Sequence, residues 1–251
     1  MAYCEYKSKK IYYEERGSGT PLVFLHGNTA SSKMFESIIK LYSDEYRVIA
    51  IDFLGHGKSE RVEGFPLELW FDEAMQTIAL LDFLSLKNVN LLGTSGGAWV
   101  AINVALERPD LVKKIVADSF DGRTLAPDFS EKLLQDRCYS KQNEIAKQFY
   151  AFCQGSDWER IVDHDTNSLL QFTKQHCPLF HKDLSELKIP LLLTASKTDD
   201  MIRNDFEDEY NSIIKEVPYG EKYVFPNGFH PAAISNDIKF AKVIKNFLKF
   251  Y

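Results

Sequence analysis

The sequence has few of the features that mark secreted, membrane-spanning or disulfide-rich proteins. Its 251 residues include only four cysteines, which are widely spaced and form no Cys-x-x-Cys pair: Cys4, Cys138, Cys153 and Cys177. No apolar run approaches the roughly 18 residues that span a bilayer. The first residues show no signal peptide, and no Asn-x-Ser/Thr sequon occurs. We therefore expect a cytoplasmic protein with reduced thiols.

Motifs for charged partners and for cofactors are also missing. The 30 Lys and Arg residues against 36 Asp and Glu residues give a net charge of −6, which offers no attraction for nucleic acid or an anionic membrane. The run 57–59 ends like a phosphate-binding loop, but Asp52 stands where that loop needs its first glycine. Without a His-Glu-x-x-His motif or a Cys/His cluster, no metal is expected. No cofactor is expected, and a monomer and a homodimer both remain open.

What the sequence does contain is a regular alternation of apolar strands and amphipathic helices. Hydrophobic residues make up 45 % of the chain, and five short apolar runs have the composition of strands covered on both faces: 21–25, 46–51, 89–93, 114–117 and 190–194. Helical spacing follows or separates them, for example over 31–42, 69–86 and 234–250. This pattern predicts an α/β fold with a mostly parallel sheet covered by helices on both faces.

One segment departs from that alternation. Residues 121–187 are helix-like, polar and aromatic, and they predict a helical cap inserted between two core segments, 1–120 and 188–251. Aromatic residues such as Phe149 and Trp158 could form a small core of the insertion, or they could line a lid over the carboxyl edge of the sheet. Under the lid interpretation, truncating either side chain should change substrate choice, whereas the core should supply the chemistry.

A nucleophile motif lies between a predicted strand and a predicted helix. Residues 93–97 read Gly-Thr-Ser-Gly-Gly, the Gly-x-Ser-x-Gly pattern of a sharp turn that exposes a serine hydroxyl. The alternative interpretation is a glycine-rich turn whose serine has no role. The strand–turn–helix context favours Ser95 as a nucleophile.

A serine nucleophile needs a base, and the base needs an acid to orient it. The chain order Ser–Asp–His selects His230, in the loop that follows the last predicted strand. The acid is placed at Asp199, in the turn after the strand at 190–194. Asp200 and Asp118 remain alternatives, because a one-residue shift in register exchanges the first two and Asp118 also follows a strand.

The negative charge that develops during acyl transfer needs hydrogen-bond donors. The sequence His-Gly-Asn at 26–28 follows the first core strand, and it nominates the backbone N–H of Asn28 together with that of Gly96. We interpret the His26 side chain as a structural brace rather than a base. A simple turn at 26–27 is the alternative.

The sequence resembles the α/β-hydrolase superfamily. Within it, the sequence is similar to the cap-bearing branch of serine esterases, which includes relatives of valacyclovir hydrolase and enol-lactonases. The resemblance covers about 3–248 and rests on five stretches: 26–27, 52–59, 93–97, 190–199 and 228–230. Gly96 stands where some of these relatives carry an acidic residue, and Ser95 stands where dehalogenases carry aspartate. The resemblance implies a serine hydrolase that cleaves a small or medium carboxylic ester, thioester or lactone through an acyl-enzyme, so the expected partner is a small acyl substrate. C–C hydrolysis, lyase chemistry, acyl transfer and a non-enzymatic binding module are the alternatives.

Overall fold

A computed structural model describes residues 2–249. Its strands are β1 (Ala2–Tyr6), β2 (Lys9–Arg16), β3 (Thr20–Leu25), β4 (Tyr46–Ile51), β5 (Val89–Thr94), β6 (Val112–Asp118), β7 (Leu191–Ser196) and β8 (Gly220–Phe225). They form one sheet in the order β1-β2-β4-β3-β5-β6-β7-β8. The β1–β2 and β2–β4 pairs are antiparallel, and all other neighbours are parallel. The expected mostly parallel sheet is confirmed.

Alternating side chains of the central strands enter two separate apolar layers. On β3, Val23 and Leu25 belong to one layer, whereas Leu22 and Phe24 belong to the other. Because successive side chains of a strand point to opposite faces, a strand covered on both faces must be apolar at every position. This explains why the core strands appear in the sequence as unbroken apolar runs.

Helices cover both faces of the sheet. They are α1 (Leu69–Phe83), α2 (Gly96–Glu107), α3 (Phe129–Ser140), α4 (Glu144–Gln154), α5 (Trp158–Lys174), α6 (Phe206–Glu216), α7 (Ala232–Ser235) and α8 (Asp237–Lys249). None of the helices within residues 2–249 is both long and apolar enough to cross a membrane.

Two helix predictions need correction. The helical spacing over 31–42 forms two short 3₁₀ turns, Ser32–Phe35 and Ile39–Leu41, instead of one α-helix. The helix predicted over 234–250 is divided at Asn236, whose side-chain amide donates to Ser196 Oγ (3.1 Å) and to the Asn227 carbonyl (3.0 Å). Residue 250 of that prediction lies outside the described residues.

Helices α3, α4 and α5 lie between β6 and β7, in the segment predicted as a cap. Side chains at the α4–α5 junction tie this segment to core loops. Gln154 donates to the Ala30 carbonyl (2.7 Å) and accepts from the Gly57 N–H (2.8 Å). Arg61 pairs with Asp157 at 3.0 Å. The junction is therefore fixed to the loops that follow β3 and β4.

Candidate active site

Ser95 occupies a strained turn between β5 and α2. Its φ of 56° and ψ of −125° lie in a region that residues with a side chain seldom adopt. The Ser95 N–H donates to the Asp118 carbonyl at 2.8 Å, which ties the turn to the end of β6. A Cβ on Gly93 would overlap the Gly97 carbonyl, and a Cβ on Gly97 would overlap the Leu25 carbonyl. The flanking glycines therefore allow the strand and the helix to meet closely enough to hold this turn.

His230 and Asp199 form a hydrogen-bonded pair. His230 Nδ1 lies 2.9 Å from Asp199 Oδ2, and the two side chains are 13 % and 0 % exposed. Asp199 Oδ1 accepts from the Met201 N–H at 3.0 Å, which fixes the carboxylate in the loop after β7. The other ring nitrogen of His230, Nε2, is left for a second partner. Ser95 and His230 line the same cavity.

The pKa of His230 lies above its ordinary value. Burial lowers it, but the hydrogen bond and charge of Asp199 and the charges of Asp118 and Asp136 raise it by more. A carboxylate that accepts from Nδ1–H also stabilises the imidazolium form. The arrangement therefore suits a base that takes a proton at Nε2.

Asp118, one of the alternative acids, makes different contacts. Its buried carboxylate accepts from Thr94 Oγ1 (3.0 Å), Thr194 Oγ1 (2.7 Å) and the Ala233 N–H (3.0 Å). Burial, only partly offset by these hydrogen bonds, raises the pKa of Asp118 to about 6. The neighbouring Ser119 Oγ accepts from the Ala232 N–H at 2.9 Å. Asp118 and Ser119 thus fix the chain that follows His230.

The other alternative acid, Asp200, is exposed and lines the cavity. Of the three aspartates considered from the sequence, only Asp199 hydrogen-bonds to His230.

Asn28 and Gly96, the two nominated amide donors, lie against each other beside Ser95. A Cβ on Gly96 would overlap Asn28 Oδ1 and would come within 2.6 Å of Trp70 Nε1. No backbone hydrogen bond among residues 2–249 uses the N–H of Asn28 or Gly96, and the first amide of a helix has no partner within it. Within the described residues, neither N–H is therefore used by another backbone group. An acidic side chain at position 96 would require the Asn28 or Trp70 side chain to shift.

His26 is buried, and both of its ring nitrogens have partners. Nδ1 lies 2.8 Å from the Gly27 carbonyl, and Nε2 accepts from the Phe53 N–H at 3.1 Å. Burial lowers the pKa of His26. A neutral ring that joins two loops fits the structural brace expected from the sequence.

A cavity of about 280 Å³ opens above Ser95 and His230. Core residues form one side, and α3 and α5 form the other through Phe129, Leu133, Arg137 and Leu169. Phe149 and Trp158 are not among the lining residues. Phe149 is 41 % exposed, and Trp158 stacks on Tyr150 with ring centroids 5.5 Å apart. The lid interpretation of these two aromatics is therefore wrong.

Three residues next to the site were not found from the sequence. Trp70 donates to Asn28 Oδ1, and Asp165 accepts from Asn28 Nδ2 while it pairs with Arg137. Asp165 and Asn28 are 137 positions apart, so no local pattern joins them. Within residues 2–249, no three His, Cys, Asp or Glu side chains form a group that could hold a metal ion.

Comparisons with known proteins agree on one fold. A family model described as the alpha/beta hydrolase fold matches residues 20–224. Haloalkane dehalogenase 2 of Mycobacterium bovis is 35 % identical over 108 residues, which make up 43 % of this chain and 37 % of that protein. The AB hydrolase superfamily protein YisY of Bacillus subtilis is 26 % identical over 260 residues, 94 % of each chain. The enol-lactonase from Burkholderia xenovorans superposes with a TM-score of 0.76 at 16 % identity, over 99 % of this chain and 100 % of that one.

The breadth of these matches differs. The alignment with the dehalogenase spans little more than a third of that protein, 37 % of its length. The similarity to the enol-lactonase, at 16 % identity, describes the fold.

Proposed function

Because the chain belongs to the alpha/beta hydrolase fold family, we propose that it is a serine hydrolase. Its substrate is a small or medium carboxylic ester, thioester or lactone, cleaved through an acyl-enzyme on Ser95. The observation that supports this most directly is the His230–Asp199 pair, at 2.9 Å, facing the cavity that Ser95 also lines. The helical segment 121–187 acts as a cap over that cavity, on the core formed by 1–120 and 188–251.

In the first half of the reaction, Ser95 Oγ attacks the carbonyl carbon while His230 Nε2 accepts the hydroxyl proton. The amides of Asn28 and Gly96 donate to the oxyanion that forms. His230 then returns the proton to the leaving oxygen or sulfur as the bond to the acyl carbon breaks. For a lactone, the leaving oxygen stays attached to the acyl group.

In the second half, His230 takes a proton from water, and the water oxygen attacks the acyl carbon. The Ser95–acyl bond breaks, the proton returns to Ser95 Oγ, and the carboxylic acid leaves. Asp199 keeps the proton on Nδ1 in both halves, so that Nε2 faces the reacting atoms.

C–C bond hydrolysis, lyase chemistry or acyl transfer could use the same groups, and a binding module could keep them without turnover. No contact in the cavity favours one of these over ester hydrolysis. We do not propose dehalogenation, because the resemblance places an aspartate nucleophile in dehalogenases, whereas this chain has Ser95.

The proposal is tested with a fluorophosphonate probe and a series of short p-nitrophenyl esters. We expect one label on the Ser95 peptide and measurable ester turnover. Ser95→Ala should remove the label and lower kcat by about 10⁴- to 10⁶-fold. Ser212→Ala, at a serine on α6 that donates to the Asp208 carbonyl, should leave both unchanged. Labelling that survives in Ser95→Ala would contradict the assignment, and a labelled wild type without ester turnover would favour the alternatives.

A further inference from the structure

A continuous chain of hydrogen bonds connects the cap to Asn28. Trp70 Nε1 donates to Asn28 Oδ1 at 3.0 Å, and Asn28 Nδ2 donates to Asp165 Oδ2 at 2.6 Å. Asp165 Oδ1 in turn accepts from Arg137 Nη2 at 3.1 Å. The oxygen and the nitrogen of the Asn28 side-chain carboxamide are therefore both fixed, the oxygen by a core helix (α1) and the nitrogen by a cap helix (α5).

The cap end of this chain is a buried ion pair. The side chain of Asp165 is 0 % exposed and that of Arg137 is 10 % exposed. Burial raises the pKa of Asp165, and the Arg137 charge and the Asn28 hydrogen bond offset this only in part. A buried pair of this kind often adds nothing to stability compared with apolar residues of similar size. The pair is therefore weak evidence of a contribution to stability.

The position of the pair supplies a different reason. Asn28 lies in the turn after β3, where the next residue, Thr29, has a φ of 57°. Because the side chain and the backbone amide of Asn28 share one Cα, holding the carboxamide at both ends limits rotation of the N–H. Gly96, the other proposed donor, packs directly against Asn28 Oδ1.

We propose that Asp165 and Arg137 are positioning residues for the oxyanion-donating amide of Asn28, so that the cap contributes to the chemistry as well as to the cavity. This inference rests on the proposed function. Asp165 does not touch the cavity and acts through Asn28. Arg137 holds Asp165 and is itself held by Tyr150 OH (3.2 Å) and Asp136 (2.9 Å).

A second ion pair between cap and core provides a matched control. Asp157, at the start of the same helix α5, pairs with Arg61 at 3.0 Å. Arg61 also donates to the Gly55, Gly57 and Gln154 carbonyls. Neither member hydrogen-bonds to Asn28, whose side chain pairs with Trp70 and Asp165. Loss of this pair should loosen the cap without affecting the oxyanion donors.

The experiment compares Asp165→Leu, Asp165→Asn and Asp157→Asn in the full chain, with a p-nitrophenyl ester as substrate. We expect Asp165→Leu to lower kcat by about 10- to 100-fold, as for a misplaced catalytic group, with KM changed less than threefold. Asp165→Asn should recover part of the activity, because its amide oxygen can still accept from Asn28 whereas its NH2 group cannot accept from Arg137. Asp157→Asn should keep the wild-type kcat.

A second measurement separates positioning from a general loss of structure. An alkyl trifluoromethyl ketone adds to a reactive serine and places an oxyanion between the same two amides. Its affinity should fall in Asp165→Leu by the same factor as kcat/KM. If Asp165→Leu unfolds, the double variant Arg137→Met/Asp165→Leu replaces the ion pair with apolar residues and should fold with the same loss of kcat.

The outcomes distinguish this proposal from the proposed function. A wild type that fails to hydrolyse esters or to label at Ser95 overturns the proposed function, and this inference with it. A wild type that does both, together with a folded Asp165→Leu or double variant within twofold of its kcat, overturns only the positioning role. An equal loss of kcat in Asp157→Asn also overturns it.

Discussion

The core and the cap contribute to the site by different means. In the core, the candidate groups follow strands directly, in turns where backbone geometry decides their position: Ser95 has a positive φ, and its flanking glycines allow the close approach of β5 and α2. In the cap, the groups that contribute to the site are side chains of regular helices. Leu133 lines the cavity, and Asp165 reaches Asn28. Core groups are therefore sensitive to backbone changes, whereas cap groups are sensitive to the length and charge of one side chain.

After the loss of Ser95 itself, the largest effect should come from the acid of the core. Asp199→Asn keeps the shape of the side chain but favours the wrong tautomer of His230, so kcat should fall by about 10⁴-fold with little change in Tm. The variant is compared with Asp118→Asn by steady-state kinetics and thermal unfolding. A larger loss in Asp118→Asn would show that Asp118, not Asp199, is the functional acid.

The next effect tests the backbone of the core. Gly96→Ala introduces a Cβ that overlaps Asn28 Oδ1 and approaches Trp70 Nε1 to 2.6 Å. The Asn28 side chain, the Trp70 side chain or the backbone at position 96 must then shift, and we expect kcat/KM to fall by about 10- to 100-fold.

A matched glycine provides the control for this change. At Gly64, an added Cβ would meet no atom within 4 Å, so Gly64→Ala should retain the wild-type kcat/KM. Equal activity of Gly96→Ala and the wild type, measured on folded protein, would mean that the contact between residues 28 and 96 has no role in turnover.

In the cap, the effect should be on the preferred acyl chain rather than on the overall rate. Leu133→Ala enlarges the cavity from the α3 side, so the preferred acyl chain should become longer. One methylene in such a pocket changes specificity by about 10- to 200-fold. The measurement is kcat/KM for p-nitrophenyl esters of increasing length. Phe149→Ala, at an exposed cap position that does not line the cavity, should keep the wild-type preference for acyl length. If that preference shifts in Phe149→Ala and not in Leu133→Ala, then Phe149 and not Leu133 determines the acyl length.

The parts of the site that could be predicted from the sequence depend on local patterns. The run 93–97 carries its own strand, turn and helix signals, and His230 follows a strand in the expected chain order. The apolar runs of the core predicted the sheet because strands covered on both faces need apolar residues at every position. For these groups, a few neighbouring residues determine both the backbone geometry and the chemistry.

The rest depends on contacts between distant residues. Asp165 is one of three acidic residues on α5, with Glu159 and Asp163. Its partner Asn28 is 137 positions away. Helical spacing also misidentified 31–42, where the Ser32 N–H donates to Asp52 Oδ1 at 2.7 Å and the chain forms 3₁₀ turns. For Phe149, aromatic character did not reveal which face of α4 meets solvent.

The smallest effect concerns the pH dependence of the core base. His230 must be neutral to accept a proton, so kcat/KM should rise as pH increases through the pKa of the free enzyme. Asp199, Asp118 and Asp136 are the charged groups that raise this pKa.

Asp118→Asn removes one negative charge without removing the His230–Asp199 hydrogen bond. The imidazolium form is then less stable, the pKa falls, and the rising limb of the profile should move to lower pH. Asp110→Asn, at an exposed residue paired with Arg108, should leave the limb unchanged. A limb that moves to higher pH in Asp118→Asn, or that moves equally in Asp110→Asn, would contradict an electrostatic contribution of Asp118 to His230.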